Sequence, residues 1–359
     1  MKGVYVHIPF CKSRCSYCDF FSTTQLERRE EYVQALLKEI AARVPEDEEI
    51  TTIYFGGGTP STLETGQIER LLNALLAKTP TIPSEITLEA NPGDLTKEKL
   101  TALHAMGINR LSIGIQSFED DQLQRIGRRH NAAQARQAVR DAQAAGFDNI
   151  SIDLIYALPG ETITTWQQDI NEALALKVQH ISCYCLSYEP GTPLTNQLNA
   201  GRIMSVGEET ENAMFDELCD SLTTNGFIHY EVSNFALPNR QSKHNSSYWN
   251  NTPYIGLGAG AHSYDGQKRR WNIADLAAYV KGIISDSTYW EEEVLTEEQK
   301  EIEHIMLGLR TSEGITLTEA LRAKAQPLVE KGLLTIRDEH LVATQSGLHI
   351  LNRIIEQLI

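Results

Sequence analysis

A chain of 359 residues that is 41% hydrophobic holds enough apolar material for one large domain and a small one, and no apolar run nears the length of a membrane span. Its 32 basic residues against 48 acidic ones leave a formal charge of −16 with no Lys/Arg-rich run, which repels a phosphate backbone and argues against nucleic acid as a partner. The sequence enters an apolar run at Val4 without a leader pattern, so the expected setting is cytoplasmic and not integral to a membrane, where six cysteines serve a metal or chemistry rather than disulfides.

Six strand-like runs follow one another: Val4–Pro9, Thr52–Gly57, Glu85–Asn91, Arg110–Ser117, Asn149–Leu158 and His180–Tyr188. Amphipathic stretches such as Tyr32–Val44 and Ile68–Lys78 separate them with apolar residues at helical spacing. Six βα units with right-handed crossovers predict an α/β fold, a partial (β/α)6 TIM-like barrel over residues 1–190, with chemistry at the carboxyl ends of its strands. Residues 191–289 form an extension, with a helix expected around 207–225 and then a Gly- and aromatic-rich stretch from His244 to Tyr264. From about residue 290 a helical tail opens, and helix, short hairpin (Leu333–Thr344) and helix predict a small winged-helix-like module over residues 290–359. The acidic balance makes that module a packing unit rather than a DNA reader.

The loop after the first strand carries Cys11, Cys15 and Cys18 in a C-x3-C-x2-C spacing. A loop can turn three thiols onto one site, whereas a strand would splay alternate ones. Iron–sulfur cubanes are normally held by four thiolates, so three leave one iron open to a ligand. A Cys3His zinc site using His7 and three incidental thiols are the alternatives, though paired zinc-type spacing is absent. Gly56–Pro60 ends the second run, where glycines let backbone groups approach a ligand. Glu89, near the end of the third, is either a solvated charge or a site carboxylate, and Asp153 lies in an otherwise apolar strand, where a carboxylate is costly unless paired. Cys183 and Cys185 share one strand face and, with Cys219, read as packing residues.

The cysteine spacing with Tyr17 before the last cysteine resembles the radical S-adenosylmethionine (SAM) superfamily, over about residues 1–260. The resemblance implies a [4Fe-4S] cluster on Cys11, Cys15 and Cys18, whose open iron binds the amino and carboxylate groups of SAM and which, once reduced, cleaves it to a 5′-deoxyadenosyl radical. It implies that Gly57, Gly58 and Thr59 lie in the segment holding the SAM amino group, and that Glu89 contacts SAM. Gln116 and Arg128 match positions that contact its ribose or carboxylate, although Arg128 also reads as an ordinary surface arginine. Asp153 would meet a ribose hydroxyl pair, and Tyr5 sits beside SAM.

Within that superfamily, YVHIPFCKSRCSYC, GGGTPS, SIDLIYALPG and the C-terminal module are similar to the branch holding oxygen-independent coproporphyrinogen III dehydrogenase and the HemW-type haem chaperones. The dehydrogenase has a further cysteine where this chain has Phe20, and a long N-terminal extension where this chain begins its first strand at residue 4; both differences argue against porphyrinogen decarboxylation. Lys243–Trp249 instead matches the HNxxYW motif of the chaperones, which the resemblance associates with haem. It implies His244 as a haem ligand, a role a neutral imidazole suits, with Tyr248 and Trp249 offering flat apolar surface. A packed histidine remains the other reading, His262 competes for the ligand role, and Arg269 and Arg270 are either propionate partners or exposed charges. The implied partners are haem and haem-accepting proteins, respiratory enzymes among them, and a homodimer is compatible with the reading.

Overall fold

The structure is a computed structural model that describes residues 2–359. Six strands, β1 (Lys2–Ile8), β2 (Ile50–Gly57), β3 (Glu85–Ala90), β4 (Arg110–Gln116), β5 (Ile150–Tyr156) and β6 (His180–Cys185), lie parallel and in chain order, so each crossover places the next strand beside the last. Their outward residues, such as Val4, Val6, Ile8, Ile53 and Phe55, are fully buried against the intervening helices α1 (Arg29–Arg43), α2 (Thr65–Leu76), α3 (Lys97–Ala105), α4 (Asp120–Arg125), α5 (Ala132–Ala144) and α6 (Ile163–Ala175). Alternation turns the other set inward, and that set is polar: Tyr5, His7, Tyr54, Glu85, Glu89, Arg110, Ser112 and Asp153. A polar lumen inside an apolar wall is the first sign that the inside of this sheet holds ligands.

The sheet does not close. After α7 (Pro193–Asn199) and α8 (Glu208–Thr224), strands β7 (Ile228–Glu231) and β8 (Asn234–Ala236) extend it beyond β6. A short helix α9 (Lys243–Trp249) precedes β9 (Tyr254–Leu257), β10 (His262–Tyr264), β11 (Lys268–Asn272) and, past α10 (Leu276–Ile284), β12 (Trp290–Val294), all beyond β1. The acidic run at 291–293 is therefore an outer strand and not the start of the helical tail. Pairing with β11 sets Glu292 opposite Arg270, and Lys268 reaches Glu292 at 3.0 Å. Glu39 of α1, fully buried, ties this extension down through the Gly258 amide, Asn272, Tyr279 and Arg43.

The small C-terminal domain has its own core, built from α11 (Glu297–Gly308), β13 (Ile315–Thr316), α12 (Glu319–Glu330), the hairpin β14 (Leu334–Arg337) and β15 (His340–Ala343), α13 (Gln345–Leu348) and α14 (Leu351–Leu358). The hairpin turns on Asp338 and Glu339, both at positive φ (47° and 63°), as a two-residue turn between twisted strands requires. Among the described residues no helix is long and apolar enough to cross a membrane.

Candidate functional site

A cavity of about 410 Å³ opens at the carboxyl ends of the six parallel strands, a volume suited to a cofactor-sized ligand. Its lining gathers Cys11, Cys15, Tyr17 and Cys18 from the loop after β1, Gly57, Gly58 and Thr59 after β2, Glu89 on β3, Gln116 at the end of β4, Arg128 after α4, and Asp153 on β5. These residues come from separate parts of the chain because parallel strands deliver all their carboxyl ends to one side.

All three cysteines are free thiols. Arg128 donates from Nη1 to Cys15 Sγ at 3.4 Å, Thr59 Oγ1 lies 3.4 Å from Cys11 Sγ, and burial raises the Cys11 and Cys18 thiols above their ordinary pKa. The loop is pinned by Lys12, which pairs with Asp94 at 2.7 Å while Asp94 also accepts from Arg129 and Ser61. Among the described residues no three His, Cys, Asp or Glu side chains close on a single ion. Three thiols on one cavity wall with no fourth cysteine on the loop fit a cubane with one open iron better than a four-ligand zinc site. His7 does not join the thiols: its Nδ1 meets Tyr5 Oη at 3.0 Å and its Nε2 the Phe21 carbonyl at 3.1 Å, and burial lowers its pKa to about 4.

Gly57 and Gly58 are required for shape. Gly57 has φ +111°, and a Cβ there would meet the His7 ring at 2.5 Å; one on Gly58 would meet the Pro9 backbone at 2.8 Å and Cys11 Sγ at 3.1 Å. The Gly57 amide donates to Glu89 Oε2 at 3.0 Å, and Tyr54 donates to Glu89 Oε1 at 2.8 Å. Burial and the nearby Asp153 raise the Glu89 carboxyl to about 7. Asp153 accepts from Ser112 Oγ at 3.2 Å, and burial raises its carboxyl too. Arg128 caps the Gly114 carbonyl, leaves Nε without a partner, and is an inward residue rather than a surface one. Gln116 holds φ +76°, unusual for a residue with a side chain, at the cavity wall. Tyr5 lies one layer behind the lining, packed on Tyr54 with ring centroids 6.2 Å apart.

His244 is not at the cavity. It is 0% exposed beneath the lumen, with Nδ1 2.8 Å from Thr52 Oγ1, Nε2 2.9 Å from Tyr248 Oη, its ring stacked on Tyr54 and its pKa lowered to about 3 by burial and by Arg110. Both ring nitrogens are occupied, so in this conformation it has no lone pair to offer iron. In this conformation His244 is a packed, hydrogen-bonded histidine, because α9 seals the amino ends of the strands, its first amides held by Glu85 at 2.9 Å each. His262 is exposed on β10, its ring stacked on Trp271 at 6.1 Å. Arg269 pairs with Glu303 at 2.8 Å and Arg270 lies over the Trp290 ring at 4.1 Å, so neither is a loose surface charge.

Sequence reasoning overlooked Tyr54, Arg110, Ser112 and Tyr184. Each is one inward position on a strand whose apolar run had hidden it, and the period-two alternation that paired Cys183 with Cys185 was the available signal for Tyr184. Cys183 lies in the main core, while Cys185 reaches the cavity wall.

Fold and site together define a radical-SAM protein: residues 5–173 match the model of the radical SAM superfamily, and residues 295–350 that of the HemN C-terminal domain. The solved structure of coproporphyrinogen III oxidase (HemN) from Escherichia coli superposes with a TM-score of 0.85 over 99% of this chain and 90% of that one, at 23% identity, a likeness of fold. The heme chaperones HemW of Bacillus subtilis (37% identical, covering 97% of this chain and 96% of the relative) and Lactococcus lactis (39%, 92% and 86%) align along nearly the whole length, and the chain belongs to their family.

Proposed function

We propose that this protein is a haem chaperone which carries a [4Fe-4S] cluster on Cys11, Cys15 and Cys18, holds SAM in the adjoining cavity, and passes haem to acceptor haem proteins. The observation that carries the cluster and SAM is the convergence of three free thiols, a glycine cradle and two half-buried carboxylates on one cavity. Cluster and sulfonium together would supply one-electron chemistry at the strand ends. The residues around them bind and orient: Glu89 and Asp153 supply negative charge for a cationic nucleotide, Arg128 supplies a donor for its carboxylate, and the Gly57–Thr59 turn admits it to the backbone. Haem rests on the family and on the HNxxYW motif. Phe20, 67% exposed on the cavity rim, stands where the dehydrogenase branch has its additional cysteine, which supports the chaperone over porphyrinogen decarboxylation.

Two positions compete for haem iron. Ligation by His244 requires α9 to withdraw and free Nε2 from Tyr248; ligation by His262 requires no rearrangement, since that imidazole is exposed and its pKa is held below the ordinary imidazole value. A Soret titration of wild type, His244→Ala and His262→Ala, beside Cys11→Ala, decides. Loss in His244→Ala alone establishes an opening floor helix, loss in His262→Ala alone establishes the edge-strand site, and loss in neither returns the protein to a radical-SAM protein of other function. Anaerobically reconstituted protein given coproporphyrinogen III, SAM and a reductant should form no protoporphyrinogen.

A further inference from the structure

Low in the lumen lies a charged side chain that neither the cavity lining nor the sheet's packing accounts for. Arg110 begins β4, is 1% exposed, and faces Thr87 across the β3–β4 register. Among the described residues none offers a partner to its Nε or Nη1, Thr87 Oγ1 is equally without one, and Arg110 belongs to no ion pair. A guanidinium cannot shed its proton, so a buried one persists only where opposite charge compensates it at longer range.

The register shows where that charge is. One inward step above Arg110 is Ser112, paired with Glu89 on the β3 side, and one step further is Gly114, paired with Asp153 on the β5 side. Glu85, the third carboxylate of the lumen, is engaged by the amides of α9, and Arg128 is turned to Cys15 and the Gly114 carbonyl. Glu89 accepts from Tyr54 and the Gly57 amide of β2, lies beside Tyr5 of β1 and opposite Ser112 of β4, and within its electrostatic reach are Arg110 from β4, Asp153 from β5, Tyr184 from β6 and Tyr248 from α9. Of these, Arg110 alone is a cation and Asp153 alone another anion, while Asp153 itself is acted on by both Arg110 and Arg128.

We propose that Arg110 is a positioning residue, the buried counter-charge that favours ionisation of both Glu89 and Asp153, so that the cavity above can present two carboxylates to a cationic nucleoside sulfonium. The proposal rests on reading the cavity as a SAM site. Two carboxylates in one poorly solvated space otherwise share a proton, and a protonated member no longer attracts a cation. Even with Arg110 present, the Glu89 carboxyl sits at about 7. Its loss moves that midpoint upward, and below the midpoint each pH unit costs tenfold in affinity.

The test is equilibrium binding of SAM to anaerobically reconstituted protein from about pH 6 to pH 9, with the protonated-carboxyl infrared band followed in parallel and assigned by its loss in Glu89→Gln. Arg110→Gln should raise both midpoints by about one unit, weaken binding about fivefold at pH 7 and about tenfold at pH 6 and below, and recover toward wild type at high pH. Arg110→Lys, which keeps the charge, should titrate like wild type, and it decides alone if the glutamine variant does not fold. An unchanged midpoint in Arg110→Gln, a weakening uniform across pH, or a displaced midpoint in Arg110→Lys overturns the proposal. Should wild type bind no SAM, the site reading fails, and the infrared midpoints still settle the role of Arg110.

Discussion

At their carboxyl ends the six strands open on a cavity whose polar groups have bonding capacity to spare: three free thiols, an arginine Nε without a partner, and carboxylates accepting only one or two hydrogen bonds. At their amino ends the same strands meet α9, where His244 has both nitrogens engaged and Glu85 holds two helix amides. Histidine, tyrosine and glutamate occur at both ends. Saturation separates most of them, His7 at the mouth with both nitrogens engaged and Arg110 with Thr87 low in the lumen without partners being the exceptions, since a group whose bonds are already made gains little from a ligand, while an unsaturated buried group gains the full value of the interaction it lacks.

The mouth breaks most completely at the cysteines. Replacing any one of Cys11, Cys15 and Cys18 by alanine should abolish the iron–sulfide absorption and iron content of anaerobically reconstituted protein while leaving the circular dichroism of the fold in place. At the floor, Glu85→Ala leaves two buried amides at the start of α9 without acceptors and should lower stability by about 2–4 kcal/mol in chemical denaturation. His244→Ala removes the partner of two hydroxyls and a stacked ring, and should cost about 2–3 kcal/mol by the same measurement without weakening SAM binding at the other end. A wild-type pH series sharpens the contrast in ligand binding: the Glu89 carboxyl lies at about 7, above its ordinary value, so SAM affinity should rise as pH climbs through 7 and level off above it. As a control remote from both ends, Glu339→Gly relieves a positive φ of 63° in the C-terminal hairpin and should stabilise the protein by about 0.5–1 kcal/mol, with ligand binding unchanged.

The strand runs, their parallel order and the C-terminal hairpin were legible because each declares itself within a few consecutive residues. Likewise, the cysteine spacing and the glycine turn are local patterns. Arg110 and Glu85 were not legible, because at the start of a strand a charge reads as solvated until the neighbouring strands and α9 surround it. The burial of His244 was not legible for a related reason. Its motif is local, but its burial depends on Thr52 and Tyr54, nearly two hundred residues away, and on the helix it belongs to turning inward.

From sequence alone came the βα succession, the thiols in one loop and the carboxylates on later strands, since hydrophobic periodicity and close spacing are properties of short segments. Only the tertiary structure decided which polar groups end with unused bonds and which end sealed. That outcome depends on every strand and helix brought into contact at once, so no single segment contains it.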